Sequence, residues 1–253
     1  MIHSILIIGQ SNMAGRGLIS EAEPLNNMGG RIKVLRNGRW QSMFRPVNPD
    51  RRFSGVCLAE SFAKKYAEEH EGVDVGIIPA ADGGTSLNQW REGGLLFDNA
   101  VYQARLAGRT SNLAAILWHQ GEADCAPELN ATYYERVSAI MTALRREIGA
   151  DDVPLLVGGL GDFLKDRTES PSLKYYPAVN EALIKFANDF PRTAYVSAEG
   201  LKPNSDNLHF SASSLFEFGV RYYEKFEKLE DKTKVFEDKL DMDAAFRTDM
   251  ELL

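Results

Sequence analysis

Five near-continuous apolar runs punctuate the chain, and stretches with helical periodicity fill the intervals. The runs are Ile5-Leu6-Ile7-Ile8, Val73 to Ile78, Leu113 to Trp118, Pro154 to Val157 and Thr193 to Ser197. A strand without polar alternation must be covered on both faces, which a parallel sheet between two helical layers provides. Leu58, Phe62 and Tyr66 share one helical face, with Ser54 as the expected cap. Leu96 to Leu106 reads as a second helix. Val137, Met141, Leu144 and Ile148 line a third, which starts at Asn130 and stops at Gly149. Leu173 to Phe190, bent near Pro177, and Ser211 to Phe226 complete the set. The expected fold is therefore three-layer α/β/α around a central five-stranded parallel sheet. Residues 32–35 and 39–43, joined at Asn37-Gly38, read as a small hairpin that decorates this sheet without joining it.

The 253 residues suit one α/β domain with long loops, expected over residues 1–228. Residues 229–253 form a charged tail without glycine or proline, expected to be helical because Met242, Phe246, Met250 and Leu253 are helically spaced. Such a helix packs either on its own domain or on a second copy of the chain, giving a homo-oligomer. A net charge of −7 leaves no basic footprint for nucleic acid and disfavours anionic membranes. Two cysteines make neither a disulfide framework nor a zinc site. Cys57 reads as a buried helical residue and Cys125 as partly exposed. The first apolar run is too short for a signal peptide or a membrane span, so a cytoplasmic location is expected.

In open α/β sheets ligands bind outside the carboxyl ends of the strands. Ser11 lies just past the first strand, between Gly9 and Gly15, where a helix N-terminus offers outward-pointing N–H groups. A serine there is either a helix cap or a nucleophile, and the second role needs a base. Four histidines are available. His3 begins the first strand, roughly 20 Å from its carboxyl end, and His70 sits among acidic residues and reads as solvated. His119 and His209 both fall at the productive end of the sheet. His209 has Asp206 three residues before it, close enough in a turn to orient the imidazole. His119 neighbours Gln120, and strand alternation points the two opposite ways.

Four blocks occur in order: Gly9-Gln10-Ser11-Asn12-Met13-Ala14-Gly15, Gly83-Gly84-Thr85-Ser86 with Trp90, His119-Gln120-Gly121-Glu122, and Asp206-Asn207-Leu208-His209-Phe210. Together they resemble the SGNH (GDSL-like) hydrolase superfamily, and within it the sialate O-acetylesterase and carbohydrate esterase family 6 branch. The resemblance runs from the N-terminus to about residue 223 and implies a flavodoxin-like architecture. It implies a serine esterase acting on acetylated carbohydrates, with Ser11 as nucleophile, His209 as base and Asp206 as its partner. The oxyanion hole it implies consists of the Ser11 N–H, an N–H from Gly83 or Gly84, and the Gln120 side chain. No metal or organic cofactor is called for.

Substrate contacts are expected from Gln10 and Glu122 within these blocks. Arg16 and Arg91 are candidates for a sialic acid carboxylate, and Trp90 for the flat face of a sugar. Two other classes fit the same fold: a hydrolase of lipid or thioester substrates, for which Leu87, Trp90, Leu95, Leu96 and Phe97 would supply apolar surface, and a non-catalytic sugar-binding protein.

Overall fold

The computed structural model describes residues 1–239. The elements are, in chain order, β1 (Ile2–Gly9), α1 (Ser11–Ala14), β2 (Ile32–Arg36), β3 (Arg39–Ser42), α2 (Ala59–Glu69), β4 (Asp74–Pro79), α3 (Leu87–Trp90), α4 (Leu95–Ala107), β5 (Asn112–His119), α5 (Pro127–Asn130), α6 (Tyr133–Ile148), β6 (Leu155–Gly158), α7 (Tyr176–Asp189), β7 (Thr193–Val196) and α8 (Ala212–Leu229). The five expected strands pair in parallel in the order β4-β1-β5-β6-β7, which is the flavodoxin-like order. Helices α2 and α8 cover one face; α4, α6 and α7 cover the other. Ile5, Leu6, Ile7 and Ile8 are fully buried at the centre, as a strand walled by helices on both sides requires.

The sheet has seven strands rather than five. The hairpin expected as a decoration extends it, because β2 pairs in parallel with β4 and β3 forms an antiparallel edge. The free edge of β4 offers N–H and C=O groups that a sixth strand satisfies. Gly76 makes room for the docked hairpin, since a Cβ there would lie 2.5 Å from the Trp40 ring. Asn37 and Gly38 both have positive φ (50° and 76°), as the two-residue turn between right-twisted strands demands.

Helix α6 stops at Gly149 in the left-handed conformation, and Ser211 caps α8 by accepting from the Ser214 N–H. The stretch from Leu173 divides into a 3₁₀ turn (Pro171–Tyr175) and α7, with Pro177 in the first turn of the helix. Ser54 does not cap α2; its hydroxyl donates to Asp50 four residues back. Both cysteines are fully buried, Cys125 included, and burial pushes both thiols up.

Residues 230–239 are not helical. They run back along the amino-terminal end of the sheet, where Asn112 donates to the Glu237 carbonyl and Lys239 to the carbonyls of Gly108 and Ser111. Phe236 packs on His3, with centroids 4.2 Å apart. His3 donates or accepts at Tyr66 Oη, 2.7 Å away, and His70, far from solvated, pairs with Glu230 at 2.6 Å. Met242, Phe246, Met250 and Leu253 lie outside the described residues. Among the described residues no helix is long and apolar enough to cross a membrane.

Candidate active site

The chain leaves β1 through Gly9, whose φ of 128° and crowding exclude a side chain: a Cβ would meet the His119 carbonyl oxygen at 2.1 Å. The strand therefore turns sharply at its carboxyl end, and Ser11 becomes the first residue of the one-turn helix α1, with Gln10 rather than Ser11 in the cap position. Being first, the Ser11 N–H has no acceptor within that helix. A cavity of about 470 Å³ opens over it, lined by Ser11, His209, Gly83, Gly84 and Glu122 among others.

The two histidines left open by sequence reasoning separate cleanly. His119 is fully buried, sits edge-on to Phe210 and Phe218, and bonds the Gly159 carbonyl through Nε2. Burial holds its pKa down, although nearby Glu122 opposes this. It makes no bond to Ser11. His209 places Nε2 3.1 Å from Ser11 Oγ and Nδ1 2.6 Å from Asp206 Oδ2. The tautomer with its proton on Nδ1 donates to Asp206 and leaves Nε2 to accept from the serine hydroxyl.

The Asp206 turn is built locally. Its Oδ1 accepts the N–H groups of Leu208 and His209, each at 3.0 Å, with Asn207 at φ 48° between them. Burial raises the Asp206 pKa, but the bonds from the His209 ring and these two N–H groups outweigh it and hold the carboxyl well below the usual carboxylate range. Arg167 donates to the Asp206 carbonyl from the neighbouring loop. Asn12 ties the two halves together: it donates to Glu122 Oε1 (2.6 Å) and the Leu208 carbonyl (3.2 Å), and accepts from the Phe210 N–H (3.1 Å).

Of the two glycines offered for an oxyanion, Gly83 has its N–H committed to Asp50 Oδ2 at 2.8 Å. The Gly84 N–H has no partner among the described residues, and Gly84 is exposed at φ 76° on the cavity wall. Gln120 is not placed as the third donor. It is fully buried, and its amide donates to the Thr85 carbonyl (3.1 Å) and Asp124 Oδ2 (2.7 Å), while Tyr133 donates to its oxygen. His119 faces Phe218 of α8 and Gln120 faces Tyr133 of α6, so the two point opposite ways as alternation requires, and both are buried because helices cover both faces of the sheet. Gln10 does line the cavity, its Oε1 facing the N–H groups of Gly121 and Ala123.

The other expected substrate contacts divide. Glu122 lines the cavity, with Oε1 on Asn12 and Oε2 without a partner among the described residues. Arg16 lines it too, but its guanidinium is locked in a two-pronged pair with Asp50 (2.7 and 3.0 Å), so its charge is already matched. Arg91 is exposed on another part of the surface and does not line the cavity. Trp90 is buried, donating to Thr85 Oγ1 and packing edge-on against Trp118, so it shows no face to a sugar. Leu87 and Phe97 are likewise buried in the core and Leu95 points to solvent elsewhere, so this loop gives the cavity no apolar wall.

Sequence reasoning missed Asp50, Arg51, Asp82 and Phe53. Arg51 pairs with Asp82 at 2.7 Å, donates to the Gly83 carbonyl, and lines the cavity with Phe53. Their only signal was the turn-rich, charged stretch Asn48-Pro49-Asp50-Arg51-Arg52 facing no periodic element. Among the described residues no three of His, Cys, Asp and Glu come together as a metal-ligating group.

A serine hydroxyl, an imidazole oriented by a carboxylate, and open N–H groups on the same cavity are the components of acyl transfer. Comparison with known proteins agrees in kind. The chain is 25% identical over 240 residues to "Probable carbohydrate esterase At4g34215" of Arabidopsis thaliana, covering 85% of this chain and 86% of that protein. The crystal structure of that Arabidopsis protein superimposes with a TM-score of 0.79 at 22% identity, over 89% of this chain and 98% of the other. NanS superimposes at 0.65 with 17% identity, over 90% and 97%. A carbohydrate acetylesterase of Xanthomonas citri, XAC1771, gives 0.64 with 17% identity, over 90% of this chain and 56% of that one. The family description "carbohydrate esterase, sialic acid-specific acetylesterase" matches residues 2–228, nearly the whole of the described chain, and the chain belongs to that family.

Proposed function

We propose that this protein is a serine esterase that removes acetyl groups from O-acetylated carbohydrates, with Ser11 as nucleophile, His209 as base and Asp206 as the carboxylate that orients it. The observation that carries the reading is the unbroken path from Asp206 Oδ2 through the His209 ring to Ser11 Oγ, with contacts of 2.6 and 3.1 Å. His209 takes the hydroxyl proton as Ser11 attacks the ester carbonyl, and Asp206 stabilises the imidazolium that results. The tetrahedral oxyanion is received by the N–H groups of Ser11 and Gly84. Gln10, whose amide lines the same wall, is the side chain available to assist them. The alcohol departs with the proton held by His209. Water, activated by the same imidazole, then releases the acetate from Ser11.

Acetyl rather than a long acyl chain suits a cavity to which the loop 85–97 lends no apolar wall, Leu87, Trp90 and Phe97 being buried in the core. The family match supports a carbohydrate as the alcohol. The test is p-nitrophenyl acetate hydrolysis by the wild type and by Ser11→Ala and His209→Ala. Each variant should lose at least about a thousandfold in kcat, and unchanged turnover in either would remove the residue from the mechanism.

A further inference from the structure

Phe53 is a large hydrophobic side chain left 64% exposed, and it lines the same cavity as Ser11 and His209. A singly exposed phenylalanine is ordinary, so exposure alone argues nothing. Three further observations set this one apart.

The ring is held in place. The Arg16 guanidinium lies over it, 5.2 Å from its centroid, and Arg16 is itself buried and fixed by Asp50. The flanking backbone is pinned as well: Ser54 Oγ accepts from the Arg51 N–H, and the Gly55 N–H donates to the Gly15 carbonyl at 3.1 Å. At Gly55 the two segments touch, since a Cβ there would lie 2.0 Å from the Gly17 carbonyl oxygen. An aromatic ring on a fixed base loses little freedom when a ligand covers it.

The surroundings are mixed rather than oily. Gln10, Arg51, Glu122, Ser170 and Ser172 share the cavity wall with Phe53, Leu173 and Leu208. Phe53 is the aromatic face of this mixed wall, and a flat ring beside hydrogen-bonding groups is the complement of a pyranose, which has a face of C–H bonds and a rim of hydroxyls. The slightly positive C–H hydrogens meet the negative face of the phenyl ring. An extended acyl chain would leave these polar groups desolvated and unpaired.

We propose that Phe53 is the platform on which the sugar ring bearing the acetyl group stacks. This rests on the esterase reading of Ser11 for its reaction, but its test has a binding arm that does not. The full-length protein and its Phe53→Ala, Phe53→Leu and Phe53→Tyr variants are compared on a mono-acetylated methyl glycoside, on p-nitrophenyl acetate and on p-nitrophenyl hexanoate. Ala and Leu should raise KM for the glycoside about tenfold, equivalent to ~1.4 kcal/mol of lost binding, with a much smaller change in kcat. Tyr, which keeps the flat face, should restore KM. In a second arm the same Phe53 series is built on Ser11→Ala and titrated with the acetylated glycoside by NMR, where Kd should follow the same ranking. The platform is overturned if Leu serves as well as Phe, if Ala alters both esters equally, or if the loss falls on hexanoyl rather than acetyl esters. It is equally overturned if Kd ignores residue 53 in the binding arm. Failure of the esterase reading would show differently, as ester hydrolysis that survives Ser11→Ala while the Kd ranking stands.

Discussion

Replacing Asp50 by asparagine should destabilise the protein far more than its near-isosteric shape suggests. Asp50 receives four donors: Arg16 Nη1 and Nη2, Ser54 Oγ and the Gly83 N–H. Its side chain is 3% exposed and that of Arg16 4%. The asparagine amide has one acceptor oxygen, so its NH₂ must face donors, and the Arg16 charge stays buried without a counter-ion. Breaking one partner of such a pair costs about 3–5 kcal/mol, a large share of the roughly 5–15 kcal/mol that holds a domain folded. Urea unfolding followed by tryptophan fluorescence reads it directly. With a slope near 3 kcal/mol per M, the midpoint should fall by about 1–2 M. The double variant Arg16→Met/Asp50→Leu removes both charges and should be more stable than Asp50→Asn. Burial alone raises the Asp50 pKa, but the bonds from Arg16 and Ser54 more than reverse this and hold it below the ordinary carboxylate value. The contribution of Asp50 is therefore complete above about pH 4 and fades as pH falls through the lowered pKa, a dependence the asparagine variant should lack. A midpoint within error of the wild type, or a double variant less stable than the single one, would refute this account of the loop.

Other outcomes are equally specific. Asp206→Asn should leave the fold intact and lower kcat for p-nitrophenyl acetate by on the order of 10³–10⁴, because the imidazole loses the acceptor that fixes its tautomer. His3, lowered to a pKa of about 4 by burial and by the charges of His70 and the N-terminus, stays neutral when folded. Its stabilisation is full above pH 6.5 and lost as pH falls toward 4, so about 2 kcal/mol should disappear between pH 7 and 5; His3→Gln should show a correspondingly flatter urea midpoint over that interval. Gly9→Ala should fail to accumulate as folded protein, since its methyl group would overlap the His119 carbonyl; a soluble, active alanine variant would contradict the turn geometry. Native protein should not react with a thiol-specific chromogen until denatured, both cysteines being buried.

Much of this was legible in the sequence because it is local. Strands buried on both faces read as unbroken apolar runs, Ser11 falls just past the end of β1, and Asp206 and His209 lie within one turn of each other. The hairpin at Asn37-Gly38 was legible as a hairpin. Its place beside β4 was not, since only the free edge of β4 and the room left by Gly76 decide it. The resemblance offered Gln120 as an oxyanion donor, but its amide is taken up by Thr85, Asp124 and Tyr133, partners from distant parts of the chain that no local pattern shows. Trp90 could either face a sugar or pack, and its neighbours in sequence do not decide; α3 turns it onto Trp118. Asp50 and Phe53 sit in a loop whose shape is dictated by what it touches, Arg16 and the Gly15–Gly17 backbone, so no pattern within the loop announces them.

The central position of β1 has a consequence for how the molecule comes into being. During synthesis Ser11 emerges almost at once, but the His209 that contacts it follows 198 residues later, on a loop between the last strand and the last described helix. If the two act together as proposed, a ribosome-bound chain that has released every strand of the sheet should stay inert until residues 206–209 lie over α1. Activity would then report the closing of that loop rather than the finished sheet. The exposed turn at Glu199 and Gly200 offers a natural cut: two separately expressed pieces, each silent alone, whose reassembly would announce itself by ester cleavage.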